Sequence, residues 1–263
     1  MAWTRVYDAL ARVEDLEPTD SGVLAFGAEP RAGGILVEKG RICWAVAPGM
    51  QRRLKDLLAA RTSERGIDFD RIYERCLANG SLLGQTLVDE GWISASELEA
   101  ALRTHSAESL VALCSNSGEP PSWTSRGSRG YLPRFTFRPI ELLLEVVKLS
   151  AAEVQARARA ELAKLDRADY RGAAFCCDSR YEVMVPVATS GELSVRELWS
   201  LGRWAMQLPL AARELGATPQ FVLASRGTDT IAVWWRAELL FAVATEERSS
   251  VAAFVAQHLH EAG

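Results

Sequence analysis

The side chains that usually do chemistry are scarce in this sequence and poorly spaced for it. Its histidines are His105, His258 and His260. The last two would lie about 200° apart around a helix, whereas a metal-binding pair needs i and i+4 spacing. His105 has no neighbour that the sequence identifies as a partner. The chain also lacks Gly-x-x-x-x-Gly-Lys-Ser/Thr, Gly-x-Gly-x-x-Gly, His-Glu-x-x-His and Gly-x-Ser-x-Gly, so nothing predicts a phosphate-binding loop or a hydrolase.

The five cysteines also argue against a reactive centre. They are Cys43, Cys76, Cys114, Cys176 and Cys177, an odd set without a Cys-x-x-Cys pair. That pattern is atypical of a disulfide framework or a zinc ribbon. Cys176 and Cys177 would point to opposite faces of a strand and could not readily hold one metal together. We expect all five to be small packing residues, and we assign no catalytic residue, cofactor or metal.

Charge and length restrict the function further. The chain has 263 residues, a mass of 28.8 kDa and a formal net charge of −4. Residues 1–150 carry 18 basic and 20 acidic side chains, and residues 151–263 carry 12 and 14. Neither half has the basic excess that binding to a phosphate backbone requires. No apolar run approaches the roughly 20 residues that span a bilayer. We therefore expect a cytoplasmic protein with no nucleic-acid partner and no membrane insertion.

Local patterns predict two α+β modules, residues 1–149 and 150–263. In the first, Glu38-Lys39-Gly40 separates two apolar runs and predicts a hairpin. Ser94-x-x-Glu97 is a capping box that starts a helix after the stop at Gly91. The stretch 115–134 is rich in Ser, Gly, Pro and Arg and predicts a long mobile loop. The predicted helices of this module are Thr4 to Leu16, Met50 to Ala60, Phe69 to Ala78, Ser81 to Asp89 and Ser94 to Ala107, and a strand-like start precedes the apolar helix that ends near Leu149.

The second module predicts the order α-β-β-α-β-β-β-α with a five-stranded antiparallel sheet. A new helix is expected over Ala151 to Leu165. The second capping box, Ser194-x-x-Glu197, starts a central helix that reaches about Leu215. The predicted strands are Gly172 to Asp178, Tyr181 to Thr189, Gln220 to Ser225, Thr230 to Ala237 and Glu238 to Thr245, and Ser249 to His260 is the last predicted helix.

Apolar side chains extend beyond one stripe of the central helix, which indicates that two of its sides are buried. One side would cover its own sheet and the other is a candidate dimer surface, although a purely intramolecular core remains an alternative. Pro209 should kink this helix or end its first segment. On the next strand but one, Trp234 and Trp235 alternate, so one of them should be exposed unless both sheet faces are covered. The candidate interface residues are Trp199, Arg203, Trp204, Met206, Leu210, Phe221, Trp234 and Trp235.

Residues 151–259 resemble the Roadblock/LC7 family, whose fold is profilin-like. The resemblance depends on the element order, on YEVMVPVA followed by the capped helix VRELWSLGRWAMQLPLAARELG, and on TIAVWWRAELLFAVAT. It implies a homodimer, or a heterodimer with another Roadblock protein, joined through the central helix and the third strand. It places the second strand, which Pro186 interrupts, at the opposite sheet edge. It also implies a small Ras-like GTPase as partner, without an arginine donated by this chain; Arg203 is the one arginine that we consider, among 26.

Residues 1–149 resemble the PATAN family, a mixed α/β domain here with a helical insertion. GVLAF, GGILVEKGRICWA, the helix RRLKDLLAA and the returning strand RFTF before PIELLLEVV carry this likeness. The resemblance implies a module for protein contacts that accompanies response regulators and Roadblock modules. Together the two likenesses predict a non-enzymatic bacterial signalling or polarity adaptor whose partner is a small Ras-like GTPase or a response-regulator-type protein.

A competing prediction comes from the helix pair LLGQTLVDEGWISASELEAALRTH, residues 82–105. It is similar to a helical motif of secretion and pilus ATPases, some of which bind cyclic di-GMP. That pattern opens with Arg where Leu82 stands, ends with Gln where His105 stands, and normally occurs as two tandem copies. The alternatives are therefore a cyclic-dinucleotide sensor and a helix pair with a purely structural role.

Overall fold

A computed structural model describes residues 3–27, 32–50, 53–63, 68–116, 120–128, 130–165, 170–178, 183–214, 221–226, 229–236 and 239–245. Over these residues the chain is α+β and contains two antiparallel sheets, one of four strands and one of five. It divides into two compact units. The first unit contains Arg12–Glu145, and the second consists of Trp3–Ala11 and the described residues from Val146 onward.

The sheet of the first unit has the strand order β3-β2-β1-β4. The predicted hairpin joins β2 to β3, and both of its turn residues, Lys39 and Gly40, have positive φ angles of 51° and 70°. That geometry matches the right-handed twist of the flanking strands. The strands are β1 (Gly22–Phe26), β2 (Gly33–Glu38), β3 (Arg41–Val46) and β4 (Ser122–Ser125).

The described residues between β3 and β4 contain the helices α2 (Leu54–Ser63), α3 (Phe69–Asn79), α4 (Leu83–Asp89) and α5 (Ala95–Asn116). Their apolar faces share one buried cluster that includes Leu58, Leu87 and Leu98. The predicted Ser94 capping box is confirmed, because the Glu97 backbone N–H donates to Ser94 Oγ at 3.2 Å and the Ser94 N–H donates to Glu97 Oε2 at 2.7 Å. The helix that it starts is longer than predicted and ends at Asn116.

The segment 115–134, predicted to be one long loop, contains strand β4. This strand pairs antiparallel with β1, with Leu24 opposite Trp123. The sequence did not predict this strand, because Ser122, Thr124 and Ser125 are polar and exposed. Of its four side chains, Trp123 is the one that is partly buried. The Trp123 ring lies over Gly22, where an added Cβ would come within 2.7 Å of it. The predicted returning strand RFTF is likewise a short 3-10 helix, Pro133–Phe135, followed by a single bridge from Phe137 to Ile42.

The helix α6 spans Pro139–Leu162 without interruption. The predicted boundary at 149/150 falls inside it, and the separate helix expected from Ala151 is its second half. Proline is favoured at a helix start, where its missing N–H is not needed. No further Pro or Gly follows until after Leu162, so nothing local ends the helix at Ser150. The N-terminal helix α1 spans Trp3–Glu14.

The sheet of the second unit has the strand order β6-β5-β9-β8-β7. Its elements are β5 (Arg171–Asp178), β6 (Val183–Ser190), α7 (Val195–Glu214), β7 (Phe221–Arg226), β8 (Asp229–Arg236) and β9 (Leu239–Thr245). β9 lies in the middle and is buried along its whole length. Pro186 lies on β6, an edge strand, at an irregularity where the register shifts between Ala174 and Phe175. An edge is where a strand tolerates the missing N–H of proline. The predicted helix 249–260 and the stop at Gly216 lie outside the described residues.

Candidate protein-interaction surface

The central helix α7 begins at the second predicted capping box. The Glu197 N–H donates to Ser194 Oγ at 3.1 Å, and the Ser194 N–H donates to Glu197 Oε2 at 2.9 Å. The other carboxylate oxygen of Glu197 accepts a 2.8 Å bond from the Arg171 guanidinium on β5. The cap therefore also ties the start of α7 to the sheet. The helix continues through Pro209 to Glu214, so Pro209 does not end its first segment.

One side of α7 packs on the five-stranded sheet. Val195, Leu198 and Ala205 are fully or almost fully buried at helical spacing. At 100° per residue, Trp199, Arg203 and Met206 follow one another along one flank of the helix, at i, i+4 and i+7. We call these three residues the Trp199 flank. Leu210 continues the same row by its position on the helix, but its side chain lies outside the description.

Exposure changes along the Trp199 flank. Trp199 is half-buried, Arg203 is exposed and Met206 is 38% exposed. Trp204 lies about 140° around the helix from Trp199 and is half-buried on the opposite flank. The structure therefore separates the two tryptophans that the sequence grouped together.

On β8 the two adjacent tryptophans face opposite ways, and the alternation prediction is confirmed. Trp234 is buried and stacks on Phe241 of β9, with 5.4 Å between ring centroids. Trp235 is 44% exposed. Cross-strand pairing places Trp235 in line with Leu240 and Phe175, on the same sheet face as Arg171.

Two ion pairs show which helix covers each face of this sheet. Arg171 contacts Glu197 of α7, so the face of Trp235 is the face on which α7 packs. Arg236 contacts Glu161 of α6 at 2.5 Å, so the face of Trp234 is the one covered by α6. Trp235 on the sheet and Met206 on α7 are therefore two exposed large apolar side chains of the second unit. Trp234 belongs to the core instead and is removed from the candidate interface.

Strand β7 lies at one end of the strand order, and within the described part of the chain β8 is the one strand that pairs with it. Phe221 lies on this strand, directly opposite Trp234, and is half-buried. Directly opposite residues share a sheet face, so Phe221 lies on the α6 side rather than beside the Trp199 flank. Its contribution to an interface would come through the strand edge and not through α7.

The sequence reasoning missed a further aromatic residue at this surface. Tyr7 of α1 contacts Trp199 edge-to-face, with 4.5 Å between ring centroids and 60° between ring planes. Tyr7 is 3% exposed, and burial raises the pKa of its hydroxyl well above the ordinary value. A signal was available, because Val6, Leu10 and Val13 form a regular apolar stripe on α1. The stripe predicts a packed helix but does not reveal its partner.

Three of the cysteines considered for chemistry are removed from solvent. Cys43, Cys76 and Cys114 are buried free thiols. Burial, together with the charge of Glu38, raises the pKa of Cys43 to about 12, which keeps it a protonated and unreactive thiol. Cys176 is half-buried, and the side chain of Cys177 is not described. No group of three or more His, Cys, Asp or Glu side chains that could hold a metal ion occurs within the described part of the chain.

His105 lies in the middle of α5 and is buried, not at the end of a helix. Burial lowers the pKa of its imidazole below the ordinary value of 6.5, and none of the residues that the structure describes is a hydrogen-bond partner of its Nδ1. Leu82, at the other end of the predicted nucleotide-binding pattern, is exposed. His258 and His260 lie outside the described residues.

Neither a protein-family model, nor a curated protein, nor a solved structure matches this chain. Across the described residues, no helix is both long and apolar enough to cross a membrane.

Proposed function

We propose that this chain is a non-enzymatic bacterial signalling or polarity adaptor of the cytoplasm. Its second unit is a Roadblock-like module that dimerises, with itself or with another Roadblock protein. Its first unit is a PATAN-like module for protein contacts. The assembled dimer binds a small Ras-like GTPase or a response-regulator-type protein.

The observation that carries the proposal is the exposure of Trp235 on the α7 side of the sheet. A tryptophan that is 44% exposed is the type of residue that dominates protein interfaces, and the same unit also exposes Met206. Such side chains bury large apolar areas when a partner covers them. An interaction surface explains them more directly than a soluble monomer does.

The strand arrangement adds support for the Roadblock-like assignment. In the order β6-β5-β9-β8-β7, the strand after α7 lies at one edge and the strand before α7 lies at the other. The resemblance implies this placement, with the strand after the central helix at the dimer seam. Among the strands that the structure describes, none pairs with the outer edge of β7, and this edge could pair with β7 of a second copy. The four-stranded sheet with its helical insertion supports the PATAN-like assignment of the first unit in the same way.

The dimer is tested by sedimentation velocity over a range of concentrations of the whole chain. We expect a reversible dimer, and we expect Trp235→Ser and Met206→Glu each to raise its dissociation constant at least about tenfold, because each removes apolar area and Met206→Glu also buries a charge. Leu82→Ser is the matched control, since Leu82 is an exposed apolar residue of the first unit. A chain that stays monomeric at every concentration, or a dimer that both variants leave unchanged, would contradict the proposal.

The partner is tested by calorimetric titration of the dimer with Ras-like GTPases of the same organism, loaded with GDP or with a non-hydrolysable GTP analogue. Binding that depends on the nucleotide is the expected result. If no GTPase produced heat on titration, a Ras-like GTPase would be excluded as the partner. The proposed dimeric adaptor would then need a different partner. The cyclic-dinucleotide alternative has less support, because His105, at the end of the pattern, is buried.

A further inference from the structure

The N-terminal helix α1 contributes its first nine described residues to the second unit. Trp3–Ala11 groups with the elements from Val146 onward, although it stands at the other end of the sequence. Its apolar side chains Val6 and Leu10 are fully buried, and Tyr7 is nearly so. This segment is therefore packed against its surroundings and does not extend freely into solvent.

The segment meets α7 at the start of the Trp199 flank. The edge of one ring, Tyr7 or Trp199, approaches the face of the other, which is a favoured geometry for aromatic pairs. The flank continues past this contact to Arg203 and Met206, which are exposed. Tyr7 therefore covers one end of the surface on which the proposed dimer depends and leaves the other end open.

The contact lies at one end of the Trp199 flank, because Trp199 is the first of its three residues. In a two-fold dimer the same flank of both copies would meet. A side chain of the second copy that packs on Trp199 would then compete with Tyr7 for the same ring.

We propose that Trp3–Ala11 is a built-in competitor of dimerisation: it holds the Trp199 end of α7 within the chain, and a second copy of the chain displaces it. This inference rests on the proposed function, because it assumes that the Trp199 flank is part of the dimer surface. In the monomer Tyr7 contacts Trp199, and in the dimer the second copy does. The equilibrium between these two states sets the apparent affinity of one copy of the chain for another.

The test uses the full-length chain, with Tyr7→Ala as the variant and Tyr7→Phe as the matched control. Tyr7→Ala removes the ring that lies on Trp199, whereas Tyr7→Phe keeps it. We expect Tyr7→Ala to lower the dimer dissociation constant about tenfold in sedimentation velocity, the size of one aromatic contact. We expect Tyr7→Phe to change it less than about twofold. Adding Met206→Glu to Tyr7→Ala should abolish the gain.

A second measurement covers the case in which Tyr7→Ala fails to fold. Amide hydrogen exchange of the wild-type chain is followed at concentrations below and above the dimer dissociation constant. We expect exchange in residues 3–11 to become faster as the dimer forms, while exchange in α7 becomes slower. Unchanged or slower exchange in residues 3–11 would overturn the inference.

The outcomes separate this inference from the proposed function. If the wild type dimerises and Met206→Glu weakens the dimer, but Tyr7→Ala leaves the dissociation constant unchanged or raises it, α1 is no competitor and the dimer stands. If the wild type and Tyr7→Ala both stay monomeric, the proposed dimer fails, and the competitor fails with it. If the wild type dimerises and Tyr7→Ala, but not Tyr7→Phe, dimerises more tightly, the result supports the proposed dimer and the competitor role of α1.

Discussion

Aromatic rings have different partners in the two units. In the described part of the first unit, guanidinium or ammonium groups lie over three of them: Lys55 over Tyr73, Arg103 over Phe137, and Arg134 over Phe135. In the second unit the ring contacts are between aromatic rings, Trp234 with Phe241 and Tyr7 with Trp199. Of the four rings in these two pairs, Trp199 is half-buried and the other three are buried, so Trp199 is the ring whose remaining surface a partner could cover.

The exposed tryptophans show the same difference. Trp92 of the first unit donates its indole N–H to Glu90 Oε2 at 2.9 Å, and Arg75 binds both oxygens of that carboxylate. Its polar group is satisfied within the unit. Trp235 is more exposed and lies on the face of a sheet, beside an edge strand, where a partner could cover it. Exposure alone therefore does not identify an interface; the neighbours of the ring decide.

The largest expected effect comes from removing the ring stack of the second unit. Phe241→Ala should lower the free energy of unfolding by about 3–5 kcal/mol, because it leaves a cavity under the buried Trp234. Urea denaturation monitored by circular dichroism measures the change. Phe241→Leu is the control and should cost clearly less, since it refills most of the volume. A cost below about 1 kcal/mol for Phe241→Ala would show that the stack does not organise this unit.

The two capping boxes provide a matched pair of smaller changes. Ser94→Ala and Ser194→Ala should each cost about 1 kcal/mol, because each leaves a helix N–H without its acceptor. In the second unit, Glu197 also accepts a hydrogen bond from Arg171, so Arg171→Gln should destabilise the start of α7. Hydrogen exchange in the first turn of α5 and of α7 measures these changes. Equal exchange in α7 with and without Arg171 would show that Arg171 does not stabilise this cap.

The buried His105 predicts a dependence of stability on pH. Because burial lowers its pKa in the folded chain, the unfolded chain binds a proton first as the pH falls. Its contribution to stability is therefore full above the ordinary pKa of 6.5 and is lost progressively as the pH falls through 6.5 toward the folded pKa. Denaturation at pH 7.5 and at pH 5.5 should differ more in the wild type than in His105→Gln. An equal pH dependence in both chains would assign the effect to other groups.

The smallest effect concerns the Trp92 network and leaves stability almost unchanged. Hydrogen bonds from Arg75 and then Trp92 lower the pKa of Glu90 below its ordinary value of 4.5. The NMR resonance of the Trp92 indole N–H should therefore shift with a midpoint below pH 4.5. Arg75→Gln removes the stronger of these bonds and should raise the midpoint. A midpoint at or above 4.5 in the wild type would show that Trp92 is not held by this network.

Short sequence patterns were sufficient to predict the helix starts, the hairpin turn and most of the strands. The capping boxes at Ser94 and Ser194 and the turn at Gly40 depend on hydrogen bonds and backbone angles within about four residues, which a short pattern contains. The type and order of the strands in the second unit followed from alternation and turn residues. The alternation on β8 also required Trp234 and Trp235 to face opposite ways, but it could not say which of them is exposed.

The pairings between residues far apart in the sequence became known from the tertiary structure. β4 becomes a strand because β1, about 100 residues earlier, supplies its hydrogen bonds and a glycine that its tryptophan can cover. α6 continues through the predicted boundary because nothing local stops it. Tyr7 contacts Trp199, which lies 192 residues later in the sequence, and hydrophobic periodicity cannot predict such a contact. Burial and strand pairing depend on which surfaces of the chain meet. The sequence therefore predicted a set of candidate interface residues, most of them aromatic, and the structure showed which of their side chains are exposed.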